Sequence, residues 1–419
     1  MTPANEGAGT NLHPESLMST HGYRPEWSQG SSVPPIFQTS TFVFSSAAEG
    51  KRCFELAYGL SDAEPGEDPH LIYSRLNNPN LEIAEGRLAL WDGAEATALF
   101  SSGMAAITTT LWTLLRPGDC VAVSSPIYGG THHFVETVLP AFGVEPVRFA
   151  PDTDDGALTE LITATGRPLG MILLESPANP TNDLFDIEMC ASVATRLSTD
   201  NRPVPVAVDN TFLGPVFQRP LEHGADLVLY SATKYLGGHG DLIAGAVSGS
   251  RELLGQIRAM RIFAGNMADP FTAWLLLRSL PTLKMRMEHQ ATNARRVADF
   301  LRGHPRVRTV NYLGHLDPSD SRHDLYKRQC LGAGGMISFE VEGGEADAYR
   351  FLDALRLFKL AVSLGSVDSL AEHPCTMTHC EAGKEANARI GITESMVRMS
   401  VGVEHPDDLI ADLGQALEE

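Results

Sequence analysis

Short apolar runs alternate with longer amphipathic stretches from residue 81 to residue 247. The runs at 96–100, 120–124, 145–149, 171–174, 204–208, 225–230 and 244–248 are bounded by turn-forming residues and predict strands. The stretches at 81–90, 104–115, 130–138 and 187–197 predict helices. Strands that alternate with helices imply an α/β fold, with a mostly parallel sheet covered on both faces. A helix-rich stretch at 269–303, containing 274–280 and 293–301, then leads into a second unit with strands at 335–340 and 396–401. The first 31 residues are polar and lack periodicity, which predicts an extended or mobile arm. Pro34 and Pro35 hold the chain extended before the β-branched and aromatic run at 39–44. Residues 53–71 include Glu64-Pro65-Gly66-Glu67-Asp68-Pro69 and are expected to form an extra surface loop. The pattern divides the chain into an arm (1–75), a large domain (76–268) and a C-terminal domain (269–419).

Composition narrows the function. A chain of 419 residues, 43% hydrophobic, has ample material for a core. Its net charge of -20 and pI near 5.1 argue against a nucleic-acid or anionic-membrane partner. No apolar run reaches the length of a membrane span, and the polar N-terminus lacks a signal-peptide core. The six cysteines fall at irregular spacings with no disulfide framework. These features predict a soluble cytoplasmic protein.

Candidate chemistry gathers at strand ends. The apolar run 227–230 delivers Ser231, Thr233 and Lys234 to the loop Gly237-Gly238-His239-Gly240. A lysine leaving a core strand is a candidate Schiff-base amine, because partial desolvation lowers its pKa. Upstream, the run at 204–208 ends in Asp209, and Ser101-Ser102-Gly103 joins a strand to a helix whose first N–H groups suit an anion. A phosphate cradle, a strand-end carboxylate and a strand-end lysine, in that order, are what a pyridoxal phosphate site requires. Two other segments carry less. His373-Pro374-Cys375-Thr376-Met377-Thr378-His379-Cys380 fits no common zinc spacing, so no metal site is assigned. The glycines after Lys234 do not open a βαβ unit and are no dinucleotide fingerprint.

With these residues in view, the chain resembles the Cys/Met-metabolism enzymes that use pyridoxal phosphate, from about Ser32 to the C-terminus. The resemblance rests on Pro34-Pro35-Ile36-Phe37-Gln38-Thr39-Ser40-Thr41-Phe42, Tyr73-Ser74-Arg75, Ser102-Gly103-Met104, Tyr128-Gly129-Gly130-Thr131 and Glu175-Ser176-Pro177-Ala178-Asn179-Pro180. It continues through Asp209-Asn210-Thr211, Ser231-Ala232-Thr233-Lys234-Tyr235, Ser363-Leu364-Gly365 and Arg398-Met399-Ser400-Val401-Gly402. It implies pyridoxal phosphate fold type I, aspartate aminotransferase-like, with a mostly parallel seven-stranded sheet and a smaller C-terminal α+β domain.

The same resemblance implies roles. Lys234 would hold pyridoxal 5'-phosphate as a Schiff base and later shuttle protons. Asp209 would face the pyridine nitrogen, Thr211 would hydrogen-bond near the ring, and Asn179 would sit near the phenolic oxygen. Tyr128 would stack on the ring and protonate a departing γ group. Ser102, Gly103, Met104, Ser231 and Thr233 would bind the phosphate, with Tyr73 and Arg75 of an adjacent subunit. Arg398 would clamp the substrate α-carboxylate, and Ser363 would contact the substrate or the lysine loop. The implied assembly is a homotetramer, a dimer of dimers whose active sites are shared across the dimer.

Val362, where cystathionine-handling members commonly carry Glu, suits an apolar substrate end and is most similar to methionine γ-lyase. Gly130, where those lyases often have Cys, and the absence of their Lys-Asp pair from 261–270 are departures. The expected reaction is γ-elimination from a γ-substituted L-amino acid. The alternatives are γ-replacement (as in cystathionine γ-synthase or O-acylhomoserine sulfhydrylase), cystathionine γ-lyase activity, loss of a non-sulfur group, and a non-catalytic relative.

Overall fold

A computed structural model describes residues 12–64, 67 and 71–419. The strands of the larger sheet are β1 (Ala96–Phe100), β2 (Cys120–Ser124), β3 (Glu145–Phe149), β4 (Leu169–Glu175), β5 (Val206–Asp209), β6 (Leu227–Ser231) and β7 (Gly245–Gly249). Their order is β1-β7-β6-β5-β4-β2-β3. Only β7 runs against its neighbours, pairing antiparallel with both β1 and β6. Helices cover both faces, so a central strand such as β4 is buried at every position, as its uninterrupted apolar run requires. Ala98, Phe100, Leu227, Leu229 and Val247 pack on one face and Leu99, Val228, Tyr230 and Ala246 on the other. That is the two-residue alternation of a pleated sheet.

The smaller sheet contains β8 (Val307–Asn311), β9 (Met336–Val341), β10 (Lys359–Leu360), β11 (Leu370–Glu372) and β12 (Met396–Ser400), in the order β10-β11-β12-β9-β8. Helices Leu283–Arg302, Glu345–Ala354 and Pro406–Glu418 close its core around Ile337, Phe339, Val397 and Met399. The two long strands predicted in this part fall on β9 and β12.

Helix ends follow local chemistry. Asn78 caps helix Pro79–Asp92, Pro79 occupies its first turn, and Gly93 ends it. Two stretches differ from expectation. Part of the N-terminal arm is ordered: helix Pro14–Leu17 leads to Met18 and Tyr23, both buried in the main core, and Arg87 Nε donates to His21 O at 3.1 Å. Isolated apolar residues in a polar stretch leave no periodic signal, so this packing could not be read in advance. The segment 53–71 begins inside helix Ala47–Ala57, and Arg52 ties its far part by donating to Glu67 Oε1 at 2.9 Å. Residues 65, 66 and 68–70 of that expected loop lie outside the described residues.

A buried acid closes the helix under the sheet. Asp92, the last residue of helix Pro79–Asp92 and 3% exposed, accepts a hydrogen bond from Tyr230 O–H, while Oδ2 has no partner among the described residues. Burial pushes its carboxyl up from 3.8 to about 6. A carboxyl raised in the folded state favours folding fully below pH 3.8, and that contribution is lost as the pH rises through about 6. Asp92→Asn keeps an acceptor for Tyr230 and removes the charge. It should raise the unfolding midpoint at pH 7.5, by at most about 2–3 kcal/mol, and flatten the stability profile between pH 4 and 6. Thermal unfolding at several pH values checks this; an unchanged or lower midpoint contradicts it.

Candidate active site

The lysine arrives at the end of β6, where Thr233 pins the chain. Thr233 N–H and Oγ1 both donate to Ala244 O at 3.1 Å, and Ala244 N–H donates back to Thr233 Oγ1 at 3.0 Å. Lys234 N–H bonds Ser231 O at 3.1 Å and Gly238 N–H bonds Lys234 O at 2.7 Å, a tight turn that fixes the lysine backbone. The loop after β10 packs on this turn. Gly365, with φ of 74°, allows the approach, since a Cβ there would lie 2.6 Å from Tyr235 N. Lys234 Nζ then donates to Ser363 Oγ at 2.8 Å. Ser363 holds φ of 94°, a left-handed conformation that costs a serine about 1–3 kcal/mol. Burial first, and then the nearby Arg398 charge, push the Lys234 ammonium down to about 8.

Strands β4 and β5 end side by side, with Glu175 paired to Asp209. Asp209 Oδ1 accepts from Thr211 N–H at 3.1 Å and from Thr211 Oγ1 at 2.6 Å. Thr211 Oγ1 also accepts from Ser231 N–H at 2.9 Å, so one hydroxyl joins the ends of β5 and β6. Burial pushes the Asp209 carboxyl up to about 6 against both Thr211 bonds, with no neighbouring cation to offset it. Glu175 accepts from Tyr128 N–H at 3.0 Å and Asn179 N–H at 2.5 Å; burial, then the Asp209 charge, push its carboxyl well up.

Arg398 comes from β12 and is fully enclosed. Its Nη1 donates to Asn179 Oδ1 at 3.0 Å and forms an ion pair with Glu372 Oε1 at 2.9 Å, and Nη2 donates to Ser363 O at 2.8 Å. Its Nε–H is buried without an acceptor among the described residues.

These groups open on one cavity of about 310 Å³. Helix Gly103–Leu114 begins at its wall, where Ser102 Oγ caps the helix by accepting from Ala105 N–H at 3.0 Å. The Gly103 and Met104 N–H groups, in the first turn, have no intrahelical acceptor. Gly103 brings this helix start against β6, since a Cβ there would lie 2.9 Å from Ser231 Cβ. Tyr128 forms another wall, and the exposed apolar side chains of Ile243 and Val362 stand at the opening. Of the residues selected from sequence, Ser102, Gly103, Met104, Tyr128, Asn179, Asp209, Thr211, Ser231, Thr233, Lys234, Val362, Ser363 and Arg398 all line this cavity.

Tyr73 and Arg75 do not. Tyr73 is 40% exposed, and Arg75 donates to Ile262 O at 2.9 Å on the protein surface. Sequence reasoning gave no role to Glu175, Glu372, Thr378 or Ile243. The available signal was a carboxylate within or ending a buried strand, which calls for a partner. The His373–Cys380 segment is a packed turn: His373 contacts Thr376 Oγ1 at 2.7 Å and Glu394 O at 2.9 Å, and Cys375 is buried.

Comparison with known proteins follows the same lines as the geometry. The model of the Cys/Met metabolism PLP-dependent enzyme family matches residues 15–418. The chain belongs to this family. It is 43% identical over 399 residues to the L-methionine gamma-lyase of Pseudomonas putida, covering 95% of each chain. It is 39% identical to the cystathionine gamma-lyase of Rattus norvegicus, covering 94% of this chain and 93% of that one. The solved cystathionine gamma synthase of Xanthomonas oryzae pv. oryzae in complex with cystathionine superposes with a TM-score of 0.86 at 33% identity, covering 98% of both chains.

The residues present fit the family's cofactor. Asp209 is a buried carboxylate that lacks a cation, which a protonated ring nitrogen supplies. Unclaimed helix N–H groups suit its phosphate, and Lys234 suits its aldehyde. Helix Leu283–Arg302 braces the loops of this PLP-family site through a buried polar seam. Arg286 Nη1 donates to Tyr235 O at 2.9 Å, Gln290 Nε2 to Ser366 O at 2.7 Å, and Asn293 Nδ2 to Gly402 O at 3.2 Å. Spaced by four and three residues, these side chains share one helix face and hold the lysine turn, the Ser363 loop and the end of the Arg398 strand in fixed relation.

The lowered lysine is measurable. In cofactor-free protein, an amine-reactive label followed by mass spectrometry should modify Lys234 with a midpoint near pH 8. The amine is neutral above that midpoint and protonated below it. Titration of Lys234 at the ordinary lysine value of about 10.4 contradicts the account.

Proposed function

We propose that this chain catalyses γ-elimination from an L-amino acid with an apolar γ-thioether, methionine above all. The observation that carries the reading is the cavity itself: Lys234, Asp209 and Arg398 line one space whose opening carries the exposed side chains of Ile243 and Val362. Pyridoxal phosphate, when bound, supplies an electron-accepting ring conjugated to the substrate α-carbon. Gly103 and Met104 N–H and Ser231 would hold its phosphate, Thr233 would join them on releasing its hydroxyl from Ala244 O, and Ser102 caps the helix behind them. Asp209, fixed by Thr211, keeps a proton on the ring nitrogen. Asn179 orients Arg398, and Arg398 binds the substrate α-carboxylate. Lys234 Nζ takes the Cα proton and then serves Cβ, its place set by Ser363. Tyr128 O–H donates a proton to the departing sulfur. Val362 and Ile243 receive the apolar end of the substrate.

In this reading the chain works in three parts: an arm (1–75) toward a neighbouring subunit, a cofactor-binding domain (76–268) and a C-terminal domain (269–419). Purified holoenzyme given L-methionine should release methanethiol, 2-oxobutyrate and ammonia. Val362→Glu should shift the ratio of kcat/KM from methionine toward cystathionine by about tenfold or more, since a carboxylate attracts the distal amine and desolvates poorly beside a thioether. An unchanged ratio removes Val362 from the substrate, and thiol release only when a second nucleophile is supplied replaces elimination with γ-replacement.

The site is shared between two copies of the chain, paired again into a tetramer. Among the described residues that line the cavity the cations are Lys234 and Arg398, already assigned to the aldehyde and the substrate carboxylate, whereas Arg75 and Tyr73 are exposed at the surface beside an arm that displays Val43, 95% exposed. Arg75→Ala and Lys234→Ala variants, each reduced about 10³-fold or more in the lysine case, should complement when mixed. One site of a hybrid dimer then joins an intact Lys234 to an intact Arg75 and regains about half the activity of a normal dimer. No recovery in demonstrated hybrids contradicts shared sites.

A further inference from the structure

Glu372 and Arg398 face each other across the β11–β12 pair, with side chains 1% and 3% exposed. Counting donors shows what this contact does. Nη1 donates to Asn179 Oδ1 at 3.0 Å and lies 2.9 Å from Glu372 Oε1 in an ion pair. Nη2 donates to Ser363 O at 2.8 Å. Nε–H has no acceptor among the described residues, and on the planar guanidinium it shares an edge with one Nη2 proton. Their spacing matches the two oxygens of a carboxylate.

Glu372 is held in turn from behind. Thr378 Oγ1 donates to Glu372 Oε1 at 2.9 Å and lies 3.0 Å from His379 Nδ1, whose ring is buried and kept neutral by that burial. A chain His379–Thr378–Glu372 therefore ends on one nitrogen of Arg398. Burial pushes the Glu372 carboxyl up and the Arg398 guanidinium down even though they are paired, so desolvation outweighs their attraction. Such a pair adds little to stability, and what it supplies is direction.

We propose that Glu372 is a positioning residue: its ion pair with Nη1 fixes the plane of the Arg398 guanidinium at the cavity, where the guanidinium takes the substrate α-carboxylate in two parallel hydrogen bonds. The inference rests on the function proposed above only in placing an amino-acid carboxylate at Arg398, and it is independent of the leaving group. Without Glu372 the guanidinium is free to turn, and the carboxylate meets a single donor.

The test uses holoenzyme and L-norleucine, which has the shape of methionine and no leaving group, with binding read by calorimetry. Glu372→Ala should weaken norleucine binding and raise KM for L-methionine about 10–100-fold, while kcat stays within about threefold. Glu372→Gln, whose amide oxygen can still face Nη1 and accept from Thr378, should stay within about fivefold of the parent. L-Norleucinamide, which lacks the carboxylate, should bind the parent and the Ala variant alike. Should Glu372→Ala fail to fold, Thr378→Val removes the hydroxyl that bonds Glu372 and His379 while keeping the side-chain shape at the cavity wall, and should give the same split at about two- to fivefold. Equal losses for norleucine and its amide, equal losses for Gln and Ala, or an unaltered KM would each overturn the assignment. If norleucine binding divides the variants as expected but methionine is not cleaved, the positioning role stands and the lyase function falls.

Discussion

The site is governed by the cost of holding several charges away from water in one place. Lys234 and Arg398 share a small buried region with Glu175, Asp209 and Glu372, and burial is the leading influence on all of them. Charges in such surroundings persist only when directed hydrogen bonds hold them. Thr211 does this for Asp209, the Tyr128 and Asn179 N–H groups for Glu175, and Glu372, Asn179 and the Ser363 carbonyl for Arg398. Glu372 Oε2 has no hydrogen-bond partner among the described residues, and two further groups are incompletely matched: Asp209, which no cation among the described residues offsets, and the Nε–H of Arg398, which has no acceptor among them. The last two are the places where a ring nitrogen and a substrate carboxylate would complete the balance.

The fold exists to keep those groups in register. Glu175, Asp209 and Ser231 are the last residues of three adjacent parallel strands, so the pitch of the sheet spaces them. Arg398 and Glu372 belong to the second sheet, and the two sets are held together by the seam of helix Leu283–Arg302 and by direct bonds such as Asn182 Nδ2 to Asn311 O and Arg398 Nη1 to Asn179 Oδ1. The strain at Ser363 is borne by the same packing. A serine at φ of 94° needs neighbours that leave it no alternative, and Gly365 against the lysine turn provides them.

Much of this was legible in the sequence. Apolar runs between turn residues located all seven strands of the large sheet to within about two residues. A lysine, a carboxylate and a small-residue turn at strand ends identified the chemistry. Strand direction was less accessible, because the alternation that marks β7 is the same in either orientation. Met18 and Tyr23 were missed because two isolated apolar residues carry no period. The Glu372–Arg398 contact was hidden for another reason: it joins positions 26 residues apart through strand register, which no local pattern encodes.

The claim on which the rest depends is that Lys234 is the residue that holds pyridoxal phosphate. Borohydride reduction of the reconstituted protein, followed by peptide mapping, tests it most directly. The cofactor adduct is expected on Lys234 alone. An adduct on another lysine, or a protein that takes up no cofactor, would contradict the account.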